Sequence, residues 1–499
     1  MAKINTFDGN IGRRGGAGKK ISSRGPVKQV SPSFSASSGT ADFNEDTIAA
    51  IATPIGEGAL GIVRVSGLDA VRIVAKAFKA KNNKSLSTQK SFSMRYGWMI
   101  GHSGEVIDEV IVSLMRSPKS YTREDVVEIS SHGGYKALSA ILELIVDSGA
   151  RLAAPGEFTK RAFLNGRLDL AQAEAVLDVI QAKSELSLRN SLAQLNGKVS
   201  ECVSAMRGSL LELLADLEAK IDFSQEDETH DEVDFSGRID GLISELDVLI
   251  ERGLKGRILR EGLKVVIYGR PNVGKSSLLN ALLKEDRAIV TPIAGTTRDT
   301  VEEYINIKGL AARLIDTAGI TEYKNEIDKE ALCRTKRALE SSDIVLFVLD
   351  SSSVLSHEDL ALAQEAEGKR KIIVVNKSDL ERRLDLSEVE KVFSLKPVLI
   401  SASLGKNLHA LEDEIFKSFF DKVPSTDEGA FVSNTRHIAI FKRGLSALLA
   451  ARNSLSEGVS LEFASLDVKK ALDSLGEITG EVFSEELLDV IFSKFCVGK

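Results

Sequence analysis

Residues 269–277 have the residue types and spacing needed to hold a polyphosphate. Gly269 and Gly274 let the backbone turn so that successive N–H groups point inward, and Lys275 then supplies a cation for the β and γ phosphates. The hydroxyl of Ser276 is a suitable ligand for Mg²⁺. An apolar strand-type run precedes this segment and a leucine-rich helix-type run follows it. Because this is the context of a P-loop, the segment predicts nucleotide binding.

Three later strand ends carry the polar groups that a guanine nucleotide requires. The run Asp316-Thr317-Ala318-Gly319 offers a carboxylate for the water shell of the metal and a glycine that can approach the γ-phosphate. With Asn376 beside it, Asp379 can accept hydrogen bonds from the guanine N1–H and exocyclic amine, which adenine does not offer. The loop at residues 401–403 can close over the base, so the order of these elements predicts GTP. The predicted GTP-binding residues are Asn272, Val273, Gly274, Lys275, Ser276, Ser277, Thr291, Pro292, Ile293, Ala294, Gly295, Thr296, Thr297, Asp316, Thr317, Ala318, Gly319, Asn376, Lys377, Ser378, Asp379, Ser401, Ala402 and Ser403.

The position that follows Gly319 indicates an unusual route of hydrolysis. Ile320 stands where a Ras-like enzyme has a glutamine that orients the attacking water, and an isoleucine cannot do this. Residues 289–299 contain several carbonyl and hydroxyl groups. Together with Asn272, this segment can enclose a monovalent cation that supplies charge near the phosphates.

Seven segments outside the predicted nucleotide site carry a family resemblance. They are residues 46–54, 61–67, 121–128, 132–134, 154–159, 161–170 and 491–499. In these segments the chain resembles the MnmE (TrmE) family of tRNA-modifying GTPases, from about Asp46 to Lys499. The P-loop and residues 295–299 are less specific, because G proteins of ribosome assembly share them.

The resemblance implies a reaction and its partners. Members of the family form a homodimer that works with an FAD-dependent partner, MnmG, in a heterotetramer. The pair adds an aminomethyl or carboxymethylaminomethyl group to C5 of the wobble uridine in certain tRNAs. The one-carbon donor is 5,10-methylene- or 5-formyl-tetrahydrofolate, and GTP hydrolysis with Mg²⁺ and K⁺ drives conformational cycling.

The resemblance also implies ligands for these groups. The K⁺ ligands would come from Asn272, Thr291, Ile293 and Thr296, and the Mg²⁺ ligands from Ser276 and Thr297. The folate contacts carry over to Arg64, Glu128, Arg167 and Lys499. A carboxylate such as Glu128 can accept from the amino and N–H groups of the pterin, and the cations can hold the glutamyl tail. The competing interpretation is that each of the four is a surface ion-pair residue.

Asp328 departs from the family pattern at the predicted catalytic position. The family has a glutamate twelve positions after the sensor aspartate, and an ungapped count from Asp316 arrives at Asp328. The shorter side chain predicts slower hydrolysis or a bridging water, because in-line attack needs close placement of the reacting groups. A shifted alignment that gives the role to Glu326 or Glu330 stays open.

Cys496 lies beside the predicted folate contacts, and its role is open between two interpretations. A thiolate there can add to C6 of a uridine or carry the one-carbon unit. Alternatively, Cys496 is a small packing residue near the chain end. Cys202 is assigned to an apolar helical stripe and Cys333 to the middle of a helix, and three scattered thiols fit a reducing compartment without disulfides.

Length and composition limit the possible classes of protein. A chain of 499 residues with 43% hydrophobic content implies about three domains. No apolar run approaches the roughly 20 residues of a membrane span, so we expect a soluble protein without a membrane partner, and the resemblance implies a cytoplasmic location. A net charge of −7 argues against a broadly basic surface, so a tRNA partner would need a local basic patch or the charges of the partner protein.

The amino-acid pattern predicts a multidomain α/β and α+β protein. Residues 1–44 are basic and rich in glycine and serine, which predicts a disordered extension. A mitochondrial or plastid transit peptide and a mistaken start codon are the alternatives. The predicted domains are residues 45–163, an α+β folate-binding and dimerisation domain; 164–258 and 421–499, two parts of a helical bundle; and 262–420, an inserted Ras-like G domain.

The first part of the helical bundle is assigned from a stripe of apolar residues at spacings of three and four. Its members are Leu188, Leu192, Leu195, Val199, Cys202, Met206, Leu210, Leu213, Leu217 and Ile221.

Two other functions remain open at this stage. The first is a ribosome-assembly GTPase, which the single G domain and the C-terminal segment 495–499 disfavour. The second is a folate-binding regulatory GTPase that has lost the modification chemistry, an interpretation supported only by Asp328.

Overall fold

The computed structural model describes residues 46–222, 234–285, 304–316, 335–420 and 432–499. Several predictions therefore lie outside the described residues. They concern the extension at residues 1–44, the cation segment 289–299, residues 317–320, Glu326, Asp328, Glu330 and Cys333. Within the described ranges, the chain forms an α+β unit, a set of long helices and an α/β unit, which confirms the predicted fold class.

The N-terminal part of the chain forms a seven-stranded sheet with the strand order β3-β4-β5-β6-β2-β1-β7. Its strands are β1 (Ile48–Ile51), β2 (Leu60–Ser66), β3 (Phe78–Ala80), β4 (Ser93–Ile100), β5 (Val106–Met115), β6 (Val126–His132) and β7 (Arg151–Leu152). Neighbouring strands are antiparallel except for β1 and β7.

One face of this sheet is buried beneath two helices. Successive side chains of a strand point to opposite faces, and β5 follows this rule, because Val110, Val112 and Leu114 are buried while Ile111 is exposed. The helices α1 (Ala70–Ala77) and α2 (Tyr135–Asp147) pack on the buried face. The opposite face holds the predicted folate contacts Arg64 and Glu128.

Within the described ranges, eight further helices lie before and after the α/β unit. They are α3 (Glu157–Leu164), α4 (Leu170–Gln181), α5 (Glu185–Leu195), α6 (Lys198–Asp222), α7 (Phe235–Glu261), α12 (Thr435–Ser456), α13 (Leu461–Thr479) and α14 (Glu485–Phe492). Leucine and isoleucine side chains of α6, α7, α12 and α13 form one apolar cluster. Helices on both sides of the α/β unit therefore pack together.

The predicted apolar stripe of the first helices is wrong in three positions. Leu188 and Leu192 are 39% and 42% exposed, and Cys202 is also exposed. Gly197 has a φ of 88° and separates α5 from α6, so the phase of the apolar pattern does not continue across it. In α6 the buried position is Val203, one residue after Cys202.

The α/β unit has a six-stranded sheet with the order β13-β12-β11-β8-β10-β9. Its strands are β8 (Leu263–Tyr268), β9 (Tyr304–Ile307), β10 (Leu310–Asp316), β11 (Ile344–Asp350), β12 (Lys371–Asn376) and β13 (Val398–Leu399), and its helices are α8 (Lys275–Glu285), α9 (His357–Glu365), α10 (Leu386–Phe393) and α11 (Leu408–Lys417). All neighbouring strands are parallel except β9 and β10. Parallel strands bring their carboxyl ends to one edge, where such sheets bind ligands.

The α/β unit is anchored to the helices by apolar contacts. Leu186 of α5 and Ile258 and Leu259 of α7 belong to the same core cluster as strands β8 and β10. Lys183 also donates to the hydroxyl of Tyr304 on β9 over 2.6 Å. In the part of the chain that the structure describes, no helix is both long and apolar enough to cross a membrane.

Candidate functional site

The P-loop lies between β8 and α8, as the strand–loop–helix pattern predicts. Lys275 is buried, and its Nζ donates to the carbonyl oxygens of Gly269 over 2.9 Å and Arg270 over 2.7 Å. Gly274 has a φ of 95°, and a Cβ there would lie 2.3 Å from Nδ2 of Asn376. Glycine is therefore required at this position, both by the backbone conformation and by the approach of the β12 loop.

Asn376 joins the P-loop to the loop that follows β13. Its Nδ2 donates to the carbonyl oxygen of Val273 over 3.0 Å, and its Oδ1 accepts from the N–H of Ala402 over 3.0 Å. Because Asn376 is only 2% exposed, these two bonds fix the relative positions of three loops. The amide thus holds together the loops that would surround a guanine base.

Asp379 is held in place for base recognition by Ser401. The Ser401 hydroxyl donates to Oδ1 of Asp379 over 2.5 Å and lies 3.1 Å from the hydroxyl of Ser403. The hydrogen bond from Ser401 lowers the pKa of Asp379 below its ordinary value. An ionised carboxylate only accepts hydrogen bonds, which suits the donor edge of guanine.

Lys377 links the P-loop to the end of β11 through contacts that the sequence did not predict. Its Nζ donates to the carbonyl oxygen of Asn272 over 2.8 Å and pairs with Asp350 at 2.6 Å. Burial tends to raise the pKa of Asp350, but the bonds from Lys377 and Ser352 outweigh it and lower the pKa. The position of Asp350 at the end of β11, in line with the other polar strand ends, is the signal that could have identified it.

The remaining predicted GTP residues are only partly placed. Asp316 ends β10 and is paired in register with Ile267 of β8, next to the P-loop strand. Ser276 and Ser277 lie in the first turn of α8 and are exposed. Asn272 and Ser276 are the two predicted cation ligands within the described residues. The other predicted cation ligands, at positions 291, 293, 296 and 297, and Asp328 lie outside them.

A second cluster forms on the open face of the N-terminal sheet. Arg64 on β2 pairs with Glu128 on β6, with 2.9 Å between Nε and Oε1. Its Nη1 also donates to the carbonyl oxygen of Gly498 over 3.2 Å. The guanidinium lies 5.8 Å from the ring centroid of Tyr121 and 5.6 Å from that of Phe158. The structure therefore brings together three parts of the chain that are distant in sequence.

Arg167 reaches the same aromatic residue from another side. Its guanidinium lies 4.8 Å from the centroid of Tyr121, and its Nη1 donates to the Tyr121 carbonyl over 3.0 Å. Burial raises the pKa of Tyr121, which keeps its hydroxyl protonated. Tyr121 and Phe158 were missed as individual site residues, although both lie within the segments that carry the family resemblance.

The C-terminal tail is docked against the N-terminal sheet. The N–H of Phe158 donates to the carbonyl of Lys499 over 3.1 Å, and the N–H of Gly156 donates to that of Cys496 over 3.4 Å. Gly498 has a φ of 94°, and a Cβ there would meet the carbonyl oxygen of Ile51 at 2.3 Å. Phe495 is buried while Cys496 is exposed, so the thiol faces solvent and does not pack in a core.

Arg161 forms ion pairs that hold together the segments around this second cluster. The side chain is 5% exposed and pairs with Asp46, Glu124 and Glu157 at 2.5, 3.1 and 3.1 Å. Burial opposes the ionisation of Glu157, but Arg151 and Arg161 outweigh it and lower its pKa. Removing one member of such a buried network leaves the remaining charges without compensation.

These two sites and the topology define a class of protein. A strand–P-loop–helix unit, with Asn376 and Asp379 at the carboxyl end of β12 in the same sheet, is a G domain, and here it is inserted between two sets of packed helices. Such a chain is a multidomain GTPase.

Comparison with known proteins gives the family. The model of the GTP-binding protein TrmE N-terminus matches residues 47–167, and that of the MnmE helical domain matches residues 170–496. The chain belongs to the MnmE (TrmE) family of tRNA modification GTPases, which confirms the resemblance in the sequence.

Relatives in the family match the chain over almost all of their own length. The tRNA modification GTPase MnmE of Listeria welshimeri is 44% identical over 458 residues, which cover 91% of this chain and 99% of the relative. The corresponding protein of Desulforamulus reducens is 45% identical over 91% of this chain and 100% of the relative. A solved structure of Aquifex aeolicus Era bound to GDP.AlF4- has 29% identity, covers 38% of this chain and 66% of its own, and has a TM-score of 0.26, which is too low to support a conclusion.

Proposed function

We propose that this protein is the GTP-hydrolysing component of a tRNA-modifying enzyme. With an FAD-dependent MnmG-type partner, it would add an aminomethyl or carboxymethylaminomethyl group to C5 of the wobble uridine, using a one-carbon folate. The observation that carries this proposal is the presence in one chain of two built sites. One is the guanine-recognition cluster around Asn376 and Asp379, and the other is the arginine–glutamate–aromatic cluster beneath the C-terminal tail.

In the G domain, each predicted site residue would have a chemical task. Lys275 would leave the carbonyls of its loop to contact the β and γ phosphates, and Asp379 would accept from the guanine N1–H and amine. Ser276 and Thr297 would ligate Mg²⁺, which neutralises charge on the phosphates when bound. Asn272, with groups of Thr291, Ile293 and Thr296, would hold K⁺.

The second cluster fits a reduced folate in its donor and acceptor groups. Glu128 can accept from the pterin through the carboxylate oxygen that Arg64 does not hold, and Tyr121 and Phe158 offer apolar ring surface. Arg167 and Lys499 supply cations for the glutamyl carboxylates. When bound, the folate supplies the one-carbon unit.

Several finer points stay predictions. The exposure of Cys496 is compatible with a nucleophilic or carrier role for its thiol. A homodimer, a heterotetramer with the FAD protein and a cytoplasmic location are inferred from the family alone, and an organelle remains the alternative location.

We expect GTP turnover to be about tenfold or more faster in KCl than in NaCl at equal ionic strength. The physical reason is that a cation of the right size beside the phosphates stabilises charge in the transition state, and loss of one such interaction typically slows a reaction by about 10²- to 10³-fold. Turnover of the full-length protein with saturating GTP and Mg²⁺ is the measurement. Equal rates in the two salts would contradict the cation site.

The matched variant for this measurement is Asn272→Gly. Asn272 has a φ of 61°, which glycine adopts without strain, and its carbonyl bond from Lys377 does not involve the side chain. This variant therefore removes the predicted ligand and keeps the loop. We expect it to lose the advantage of KCl over NaCl.

We expect Asp328→Ala to lower GTP turnover by about tenfold. A general base or water-orienting group contributes about 10²- to 10⁴-fold to the rate, and the shorter side chain of Asp328 would supply only part of this. Asp328→Glu restores the longer side chain of the family and should raise turnover above that of the unchanged protein. Single-turnover hydrolysis in KCl is the measurement. An Asp328→Ala variant with full activity would remove Asp328 from the mechanism and direct attention to Glu326 or Glu330.

A further inference from the structure

Residues 70–104 are strongly basic, although the whole chain carries a net charge of −7. This stretch contains no aspartate or glutamate and seven basic residues, which are Arg72, Lys76, Lys79, Lys81, Lys84, Lys90 and Arg95. It covers helix α1, the edge strand β3 and strand β4. Positive charge is thus concentrated at one edge of the N-terminal sheet.

All five lysines of this stretch are exposed and form no ion pair with a described carboxylate, and three of them lie on or just after the edge strand β3. These three are Lys79, Lys81 and Lys84. Elsewhere in the same domain, Arg64 pairs with Glu128 and Arg116 pairs with Asp125. An unneutralised cluster in an acidic protein is the electrostatic pattern of a polyanion site.

Aromatic rings alternate with these lysines on the open face of the sheet. Lys79 is paired in register with Trp98, and the N–H of Lys81 donates to the carbonyl of Tyr96 over 3.1 Å. The Nζ of Lys81 lies 5.2 Å from the centroid of the Tyr96 ring. The Tyr96 and Trp98 rings pack edge to face, with 5.6 Å between their centroids. We call Lys79, Lys81, Lys84, Tyr96 and Trp98 the lysine–aromatic edge.

An open cavity of about 440 Å³ lies at this edge. Its lining residues are Lys81, Asn82, Lys84, Met94, Arg95 and Tyr96. The Arg95 side chain donates to the backbone carbonyls of Lys84 and Ser85 and thereby holds the turn after β3 in position. The cavity combines cations with apolar surface, since Met94 is 74% exposed.

We propose that the lysine–aromatic edge binds single-stranded nucleotides of an RNA substrate, an inference that rests on the proposed function, in which that substrate is tRNA. Proteins bind single-stranded nucleic acid by combining cations that follow the phosphates with aromatic rings on which bases stack. The anticodon loop that contains a wobble uridine is single-stranded. The edge therefore has both of the groups that this loop requires.

The sheet register connects the cavity at this edge, through its lining residue Met94, to the candidate folate cluster. Met94 pairs with Ser113, Ser113 with Glu128, and Glu128 with Arg64, so the four side chains form one row across β4, β5, β6 and β2. Two strand spacings place the Met94 and Glu128 backbones about 10 Å apart. A loop held at the edge would thus lie within a few nucleotides' reach of the folate cluster on the same face.

A second copy of the chain is the competing occupant of this surface. A two-fold contact on this surface would place the same patch of both copies together, and the lysines of the two edges would repel. Glu109 of β5 lies opposite Trp98 but already interacts with the Tyr96 hydroxyl, whose pKa it raises. Charge complementarity therefore favours a polyanion over a second copy.

The test compares two triple variants of the full-length protein in their binding of an unmodified tRNA transcript. Lys79→Gln/Lys81→Gln/Lys84→Gln removes the edge charges, and Lys136→Gln/Lys391→Gln/Lys396→Gln removes three exposed charges elsewhere. The edge variant should bind the tRNA at least about tenfold more weakly. The slope of log affinity against log salt concentration should become less steep by about 2, because each of the three lost phosphate contacts contributes about 0.7 on a single strand. The control variant should match the unchanged protein.

Tryptophan fluorescence supplies an independent measurement, because the chain has a single tryptophan, Trp98. Its fluorescence should change saturably on addition of tRNA if a base stacks there. The variant Trp98→Ala should weaken binding about tenfold without changing the salt slope, because stacking involves no counterion release. Thermal unfolding of each variant checks that the sheet is intact.

The outcomes separate this proposal from the function on which it rests. Unchanged affinity and salt slope in the edge variant, with normal tRNA binding by the control, would overturn the lysine–aromatic edge alone. A shift of the monomer–dimer equilibrium in sedimentation without loss of tRNA binding would assign the surface to a second copy and also overturn the proposal. If the unchanged protein fails to bind tRNA, both the proposed function and the edge are wrong.

Discussion

Replacing Asp379 with asparagine is expected to lower the affinity for GTP by about 10²- to 10⁴-fold, since two hydrogen bonds to a charged acceptor are each worth roughly 1.5–3 kcal/mol. The asparagine keeps one oxygen for the bond from Ser401, so the loop should retain its position. Its amide group would then face the exocyclic amine of guanine, donor against donor. Competition of GTP with a fluorescent guanine nucleotide measures the loss.

The same variant should gain affinity for xanthosine triphosphate. Xanthine has a carbonyl where guanine has its exocyclic amine, and this carbonyl can accept from the new amide. The control is Glu381→Gln, which makes the same change of charge at an exposed position two residues away. If GTP still binds Asp379→Asn tightly and xanthosine triphosphate does not, Asp379 does not read the base.

The second large effect is expected at a buried ion cluster among the helices. Glu174 of α4 accepts from Arg436 Nη2 over 2.7 Å and lies 2.7 Å from Nε2 of His437, both on α12. Arg436 also donates to the carbonyl of Glu477 on α13 over 2.9 Å. Three helices from both sides of the inserted G domain therefore meet at one carboxylate.

Glu174→Ala is expected to lower the free energy of unfolding by about 3–5 kcal/mol, the usual cost of removing one partner from a buried pair. Urea unfolding at neutral pH is the measurement. The control is Glu477→Ala, which breaks the largely exposed pair with Arg443 and should cost about 0–1 kcal/mol. Equal losses in the two variants would show that the buried cluster gives no special stability.

The effect of Glu174 should also depend on pH. Burial tends to raise the pKa of Glu174, but His437 and Arg436 outweigh it and lower the pKa from 4.5 to about 2. A carboxyl with a lowered pKa stabilises the folded state above its unfolded pKa, and this contribution is lost as the pH falls through the folded value. The difference in stability between the unchanged protein and Glu174→Ala should therefore shrink between about pH 4.5 and about pH 2. A constant difference would contradict the assigned pKa.

Local patterns predicted the elements of the G domain. The glycine spacing of the P-loop is a requirement of one short turn, and Asn376 and Asp379 follow a strand whose apolar run is continuous in sequence. These features depend on neighbours within a few residues, so the sequence alone reveals them. The predicted apolar stripe is wrong at Cys202, because Gly197 separates α5 from α6 and the phase of the apolar pattern changes there.

Long-range pairs could not be predicted in the same way. Asp350 is 27 positions from Lys377, and Asp359 is 89 positions from its partner Arg270. Glu174 and His437 are separated by 263 positions. No periodicity links such residues, because their contact depends on how separate elements pack.

By itself, the sequence determined the guanine nucleotide, the fold class and the family, since each rests on short motifs whose own residues lie close together along the chain. Only the tertiary structure decided which face of the N-terminal sheet is open and that Gly498 brings the tail to Arg64. It also placed Met94, which lines the cavity at the lysine–aromatic edge, in one row of the sheet with Glu128. The physical reason is that strand register and helix packing set these distances, and both depend on contacts between residues far apart in the chain.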